Sequence, residues 1–216
     1  MKTTRSKTMA AKGETVSRED AEEQVRKVCV RLGLLHLAFA RTLVDELGEK
    51  KGKELILKAI KDYGIRIGER GKNKVIANGG NPAAAPFPND LPAYGLQGKI
   101  PGETLKPENE NEIRRMRGHG CVMSEVWREY GEGELGRLYC YVDPIKSLTY
   151  NPDTVHFHAK LGDLPDGDWV CEHVFRKTTE QERKDFADND KNWAWTGIEP
   201  WSGDIKIPVK TGKNKK

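Results

Sequence analysis

The sequence predicts an α+β fold, with an N-terminal helical hairpin packed on an antiparallel sheet formed by the C-terminal half. Three observations carry this. Apolar residues recur at three- and four-residue steps through the first third of the chain, the period of an amphipathic helix. Two such runs are joined by a short polar connection, which favours antiparallel neighbours. In the second half, short alternating segments near 154–160 and 169–176 are separated by turn residues, the punctuation of paired strands.

Taken in order, residues 1–16 read as a disordered basic tail. Ser17 then stands where an N-cap belongs, with Glu19 and Asp20 in the first turn, where acidic groups meet the helix dipole. Val25, Val28, Cys29, Leu32, Leu35, Phe39 and Leu43 mark the first helix, and Gly48 is its expected C-cap. Gly33 is a point where it could bend. Leu55, Ile56, Ala59, Ile60, Tyr63 and Ile67 mark the second helix. Cys29 and His36 lie on or near the buried stripe and read as packed core residues rather than ligands. From 78 to 111 six prolines remove the periodicity, and a loop this long reads as an arm or lid, docked through Phe87, Leu91, Tyr94 and Leu96. Residues 112–117 read as a charged helix or turn, 122–130 as a helix, and 137–142, 154–160 and 169–176 as strands. Thr179 with Glu182 three positions on predicts a capped short helix. Trp193, Trp195 and Trp201 would staple a C-terminal extension, 177–216, to a single domain spanning 17–176.

Composition narrows the function classes. The net charge of +4 is small, and part of the basic excess sits at the two ends, so nucleic-acid binding is not expected. No run approaches the roughly 18 apolar residues of a membrane span, and the basic start lacks an apolar signal core. Four cysteines in 216 residues are too few for a disulfide framework. The expected setting is therefore a reducing cytoplasm with free thiols.

Three of the four cysteines and three of the five histidines fall between 121 and 176. Gly131-Glu132-Gly133-Glu134-Leu135-Gly136 has the spacing of a dinucleotide loop but follows a helix and is expected to lead into a strand, the reverse of what phosphate binding requires. Strand alternation puts His156, His158 and Lys160 on one face, and Trp169, Cys171, His173 and Phe175 on one face of the next strand. Cys171 and His173 are thus candidates for a thiol with a base beside it, since an imidazole can hold a cysteine as thiolate. The alternative is a small buried hydrophobe beside a surface histidine. Cys121, Cys140 and Cys171 with His119 could also be read as a zinc set, but no cysteine pair has the close spacing of structural zinc ligands.

The order Cys121-x-x-x-Glu125, Leu138-Tyr139-Cys140-x-x-Asp143, Asn151-Pro152 and Gly167-x-x-x-Cys171-Glu172 resembles the L-2-amino-thiazoline-4-carboxylic acid hydrolase family. The layout is similar, more distantly, to ligand-binding domains of the 4-vinyl-reductase type. There are two departures from the family pattern: its closing Cys-Asp-Phe is Cys171-Glu172-His173 here, and the arginine it tends to carry after Asn-Pro is replaced by His158, with Lys160 nearby. The resemblance implies a hydrolase acting on a carbon–nitrogen bond other than a peptide bond, in a cyclic amidine or amide. Its reaction would be the opening of 2-aminothiazoline-4-carboxylate to N-carbamoyl-cysteine. It implies Cys171 or Cys140 as nucleophile, Glu125, Asp143 or Glu172 for proton transfer, and His158 or His173 to assist or bind the carboxylate. His156, His158, Asn151, Cys121 and Glu172 would contact substrate. No cofactor or resident metal is expected, the partner is a small molecule, and a homo-oligomer is a further expectation. The other class that fits is a non-catalytic binding or sensor domain with cysteines as packing groups or metal ligands.

Overall fold

The computed structural model describes residues 15–88, 102–163, 169–188 and Lys210. Leu91, Tyr94 and Leu96 of the expected arm, the Asp166-Gly167 turn and the three C-terminal tryptophans lie outside them.

Helix α1 (Arg18–Ala77) starts where Ser17 accepts the Asp20 N–H, as the sequence predicts. Gly48 breaks it with φ 79 and ψ 164. Past this glycine the chain folds back: a Cβ on Gly52 would lie 2.7 Å from the Val44 Cα, eight residues earlier. In an unbroken helix that separation would be about 12 Å. The two arms are therefore antiparallel, with Leu37, Ala40 and Val44 of the first and Ile56 and Ile60 of the second in one buried cluster. Gly33 keeps helical geometry and does not bend the first arm; it receives Trp127, whose indole N–H donates to the Gly33 carbonyl at 3.4 Å.

After the hairpin come β1 (Gly102–Leu105), β2 (Glu112–Gly118), α2 (Val122–Glu129), α3 (Gly133–Gly136), a 3-10 helix (Arg137–Tyr141), α4 (Val142–Tyr150), β3 (Thr154–Asp163), β4 (Trp169–Lys177) and α5 (Glu180–Asp188). The four strands form an antiparallel sheet in the order β1-β2-β4-β3. The helices α2 to α4 pack on the hairpin, with Trp127, Leu135, Leu138, Tyr141 and Val142 buried among its arms.

Four local expectations are corrected. Residues 137–142 are helical, not a strand: Leu135, Leu138, Val142, Ile145 and Leu148 are all buried at three- and four-residue steps, and this helical stripe overrides the strand preference of the aromatic and β-branched residues between them. For the same reason the glycine-rich run 131–136 leads into helix rather than strand, its last four residues forming α3. Residues 112–117 form a strand, because Arg115 finds Glu112 and Glu172 for its charge and the backbone pairs with both β1 and β4. The proline-rich stretch is also not all loop, since it contains β1. The capping box at α5 is as predicted: the Glu182 N–H donates to Thr179 Oγ1 at 3.2 Å and the Thr179 N–H to the Glu182 carboxylate at 2.7 Å.

Candidate active site

Side chains alternate along β4, so Cys171, His173 and Phe175 share a face of the sheet. Register brings His158 opposite His173 and His156 opposite Phe175. His156 lies flat on Phe175, ring centroids 4.2 Å apart. A β-bulge at the His158/Lys160 step interrupts the pairing just beyond His158. Such bulges re-aim side chains at many functional sites.

Helix α4 closes this face. Ser147 Oγ donates to the Thr154 carbonyl at 3.2 Å and accepts the His156 N–H at 3.1 Å, pinning the helix to the start of β3. Asp143 lies in the first turn of α4, where the dipole favours a carboxylate and the following Pro144 is tolerated. The result is a continuous chain of polar contacts. Cys171 Sγ is 2.6 Å from His158 Nδ1, and His158 Nε2 is 2.7 Å from Asp143 Oδ2. With the carboxylate accepting, Nε2 carries the proton and the Nδ1 lone pair faces the thiol. Lys146, one turn along α4, pairs with the other Asp143 oxygen. His156 Nε2 meets His173 Nδ1 at 2.9 Å, and His156 Nδ1 lies 3.8 Å from Asp143 Oδ1.

The electrostatics give these groups distinct states. Burial opposes the Asp143 charge, but the Lys146 ammonium and the His156 and His158 rings outweigh it and hold the carboxyl well below the usual range. Burial drives His156 down to about 3 and holds His173 well below the ordinary histidine value, so both rings are neutral near pH 7. Burial, and then the negative charge of Asp143, push the Cys140 thiol well up. Burial also raises Cys121. Both thus favour the protonated form.

The other sequence candidates have other partners. Glu125 is exposed on α2 and pairs with Arg26 at 2.9 Å. Glu172 points to the opposite face of the sheet, where Arg115 and Arg117 hold its two oxygens at 3.2 and 3.0 Å. Asn151 caps α4, and its side chain accepts the Asp153 N–H at 3.1 Å in the turn before β3. Cys121 is the N-cap residue of α2. His36 is a core histidine, its Nε2 3.3 Å from the Leu135 carbonyl. The imidazole against Cys171 is His158, the residue standing where the family arginine is expected. Lys146 was missed altogether; its signal was the helical i, i+3 spacing from Asp143, hidden because 137–142 reads as a strand and the residues after it as a loop. Of the expected arm, Phe87 docks edge-on against Tyr150 at 5.1 Å and lies beneath the Lys146 ammonium, 5.7 Å from its ring centre.

The sequence model of the L-2-amino-thiazoline-4-carboxylic acid hydrolase family matches residues 30–175. No curated protein and no solved structure matches the chain.

Proposed function

The chain belongs to the L-2-amino-thiazoline-4-carboxylic acid hydrolase family, and on that premise we propose that it is a cysteine-dependent hydrolase of a small cyclic amidine, opening 2-aminothiazoline-4-carboxylate to N-carbamoyl-cysteine. The observation that carries the reading is the Cys171–His158–Asp143 chain, at 2.6 and 2.7 Å. A nucleophile, a base and a group that orients the base stand in the order covalent catalysis uses. Residues 17–176 are the catalytic unit.

His158 takes the Cys171 proton, and the thiolate adds to the amidine carbon across its C=N bond. For an N-carbamoyl product both nitrogens stay on that carbon, so the ring carbon–sulfur bond breaks and His158 returns the proton to the departing sulfur. Scission of the ring carbon–nitrogen bond would instead leave the carbamoyl group on sulfur. Water, deprotonated by His158, then adds to the same carbon and expels Cys171, leaving a urea. Asp143 stabilises the imidazolium in both halves. The neutral His156 and His173 spend one N–H on the bond between them; the other ring's N–H serves the substrate carboxylate, and Lys146 supplies positive charge beside them. The chemistry needs Cys171 reduced, which supports a cytoplasmic setting. Self-association belongs to the same proposal: Val28, Leu32, Leu35 and Phe39 run along the first arm at alternating four- and three-residue steps, the seam by which helices of two copies pair. Of these, Val28, Leu35 and Phe39 are exposed.

The test is turnover of 2-aminothiazoline-4-carboxylate, followed by release of the product thiol. Cys171→Ser abolishes turnover and Cys140→Ser retains it. His158→Ala lowers the rate by about 10² to 10⁴, the usual worth of one acid–base group. A fully active Cys171→Ser protein ends the proposal.

A further inference from the structure

Outside any role in turnover, three imidazoles meet on this face. One nitrogen from each of His156, His158 and His173 lies within 4.8 Å of the other two. Bonds of about 2.0–2.1 Å to a tetrahedral ion put ligand nitrogens about 3.3 Å apart. The pair His156 Nε2 and His173 Nδ1, at 2.9 Å, already stands near that separation, and the third nitrogen has to close from at most 4.8 Å.

We infer that His156, His158 and His173 form a binding site for a divalent transition ion of the zinc type, with the Cys171 thiolate as fourth ligand, and that occupation switches the thiol off. The binding half stands on the ring geometry alone; the switching half rests on the function proposed above.

The chemistry of the donors supports the assignment. Three nitrogens and a sulfur suit zinc and its neighbours, not magnesium or calcium, which take oxygen. An imidazole ligates through an unprotonated nitrogen, so the proton now shared between His156 Nε2 and His173 Nδ1 moves to the other nitrogen of its ring on binding. Asp143 accepts from His158 Nε2, the carboxylate–histidine pairing that orients metal-ligating imidazoles. That leaves Nδ1 for the ion, and Nδ1 is the atom now facing Cys171. Binding therefore takes the lone pair that would deprotonate the thiol. The thiol proton passes to solvent, sulfur joins the ion, and four protein ligands leave no open position for substrate.

The experiment uses the full chain, stripped with a chelator and titrated with Zn²⁺ against a chromophoric competitor, and with Co²⁺ for its thiolate charge-transfer band. We expect one ion per chain, a cobalt–thiolate band lost in Cys171→Ser, and binding weakened at least about 100-fold in His156→Ala and in His173→Ala. His173→Gln serves as a second variant if circular dichroism shows that the alanine protein is unfolded. Alkylation of Cys171 by iodoacetamide should stop when Zn²⁺ is added and resume with chelator. Absence of stoichiometric binding overturns the inference. So does binding unchanged in the histidine variants, which would place the ion on other thiols. Binding in a protein that does not turn over the thiazoline would count only against the proposed reaction, and turnover without binding only against the metal site.

Discussion

Cys171 differs from the other three cysteines in what surrounds its sulfur. Cys171 is itself buried, whereas Cys140 and Cys121 are half-buried near the Asp143 carboxylate, and desolvation and that charge disfavour a thiolate at both. Burial raises Cys29 as well. Only Cys171 has an imidazole nitrogen at 2.6 Å among the described residues. Asp143→Asn should leave the fold intact yet lower kcat by about 10²-fold or more, because the amide cannot stabilise the imidazolium; steady-state kinetics beside a thermal melt check this. Glu172 makes the opposite case. Arg115 and Glu172 are both buried, so Glu172→Gln leaves one charge without its full complement. Breaking such a pair costs about 3–5 kcal/mol, less here because Glu112 also holds Arg115. Denaturant melts should show the loss, and turnover per folded molecule should stay within a few-fold of the parent protein.

Among the elements, α4 decides the site, because it carries Asp143 and Lys146 on its first turns and rests on the second arm of α1. Gly64 and Gly68 make that rest possible. A Cβ on Gly68 would sit 2.5 Å from Thr149 Cβ and 2.8 Å from the Lys146 carbonyl. Gly68→Ala should therefore destabilise by about 1–3 kcal/mol despite alanine's better helix propensity. It should also lower kcat by moving α4, which the melting temperature and kcat of one protein preparation can test. The same helix marks where the sequence stopped being legible. The hairpin could be read because its apolar spacing is purely local and Gly48 ends a clear run. β3, β4 and α5 could be read for the same reason, through alternation and a capping box. The 3-10 segment and α4 could not, since Leu138-Tyr139-Cys140-Tyr141-Val142 fits a strand until packing on α1 is known. β2 could not either, as its arginines become strand residues only once Glu172 faces them. The site was half legible: alternation put Cys171 and His173 on one face, but the partner of the thiol came from the neighbouring strand. Only register, with the bulge beyond His158, determines which histidine that is.

For the whole molecule, a half-buried core histidine contributes to an acid limit, together with His156 and His173, whose values are also lowered. His36 packs against Trp127 and Tyr139, and burial lowers its pKa to about 4, a shift only partly offset by the Leu135 and Gly136 carbonyls. Above pH 6.5 the ring is neutral in both folded and unfolded chains and adds no pH dependence. Between 6.5 and about 4 the unfolded chain takes up a proton that the folded one does not, so stability falls as pH falls; below about 4 that loss is complete. His36→Gln should flatten the fall in melting temperature across that window. The exposed stripe on the first arm predicts a sedimenting dimer in the parent protein and a monomer in Phe39→Glu; a monomeric parent removes self-association from the proposal. The measurement that bears most directly on Cys171 needs no substrate. It is the rate of iodoacetamide alkylation at each cysteine of the chelator-treated protein near pH 7, located by peptide mapping, in the parent and in His158→Gln. Cys171 should react much faster than Cys29, Cys121 and Cys140, and should lose most of that advantage in His158→Gln. A Cys171 no more reactive than Cys140, or equally reactive in both proteins, would contradict its activation by His158.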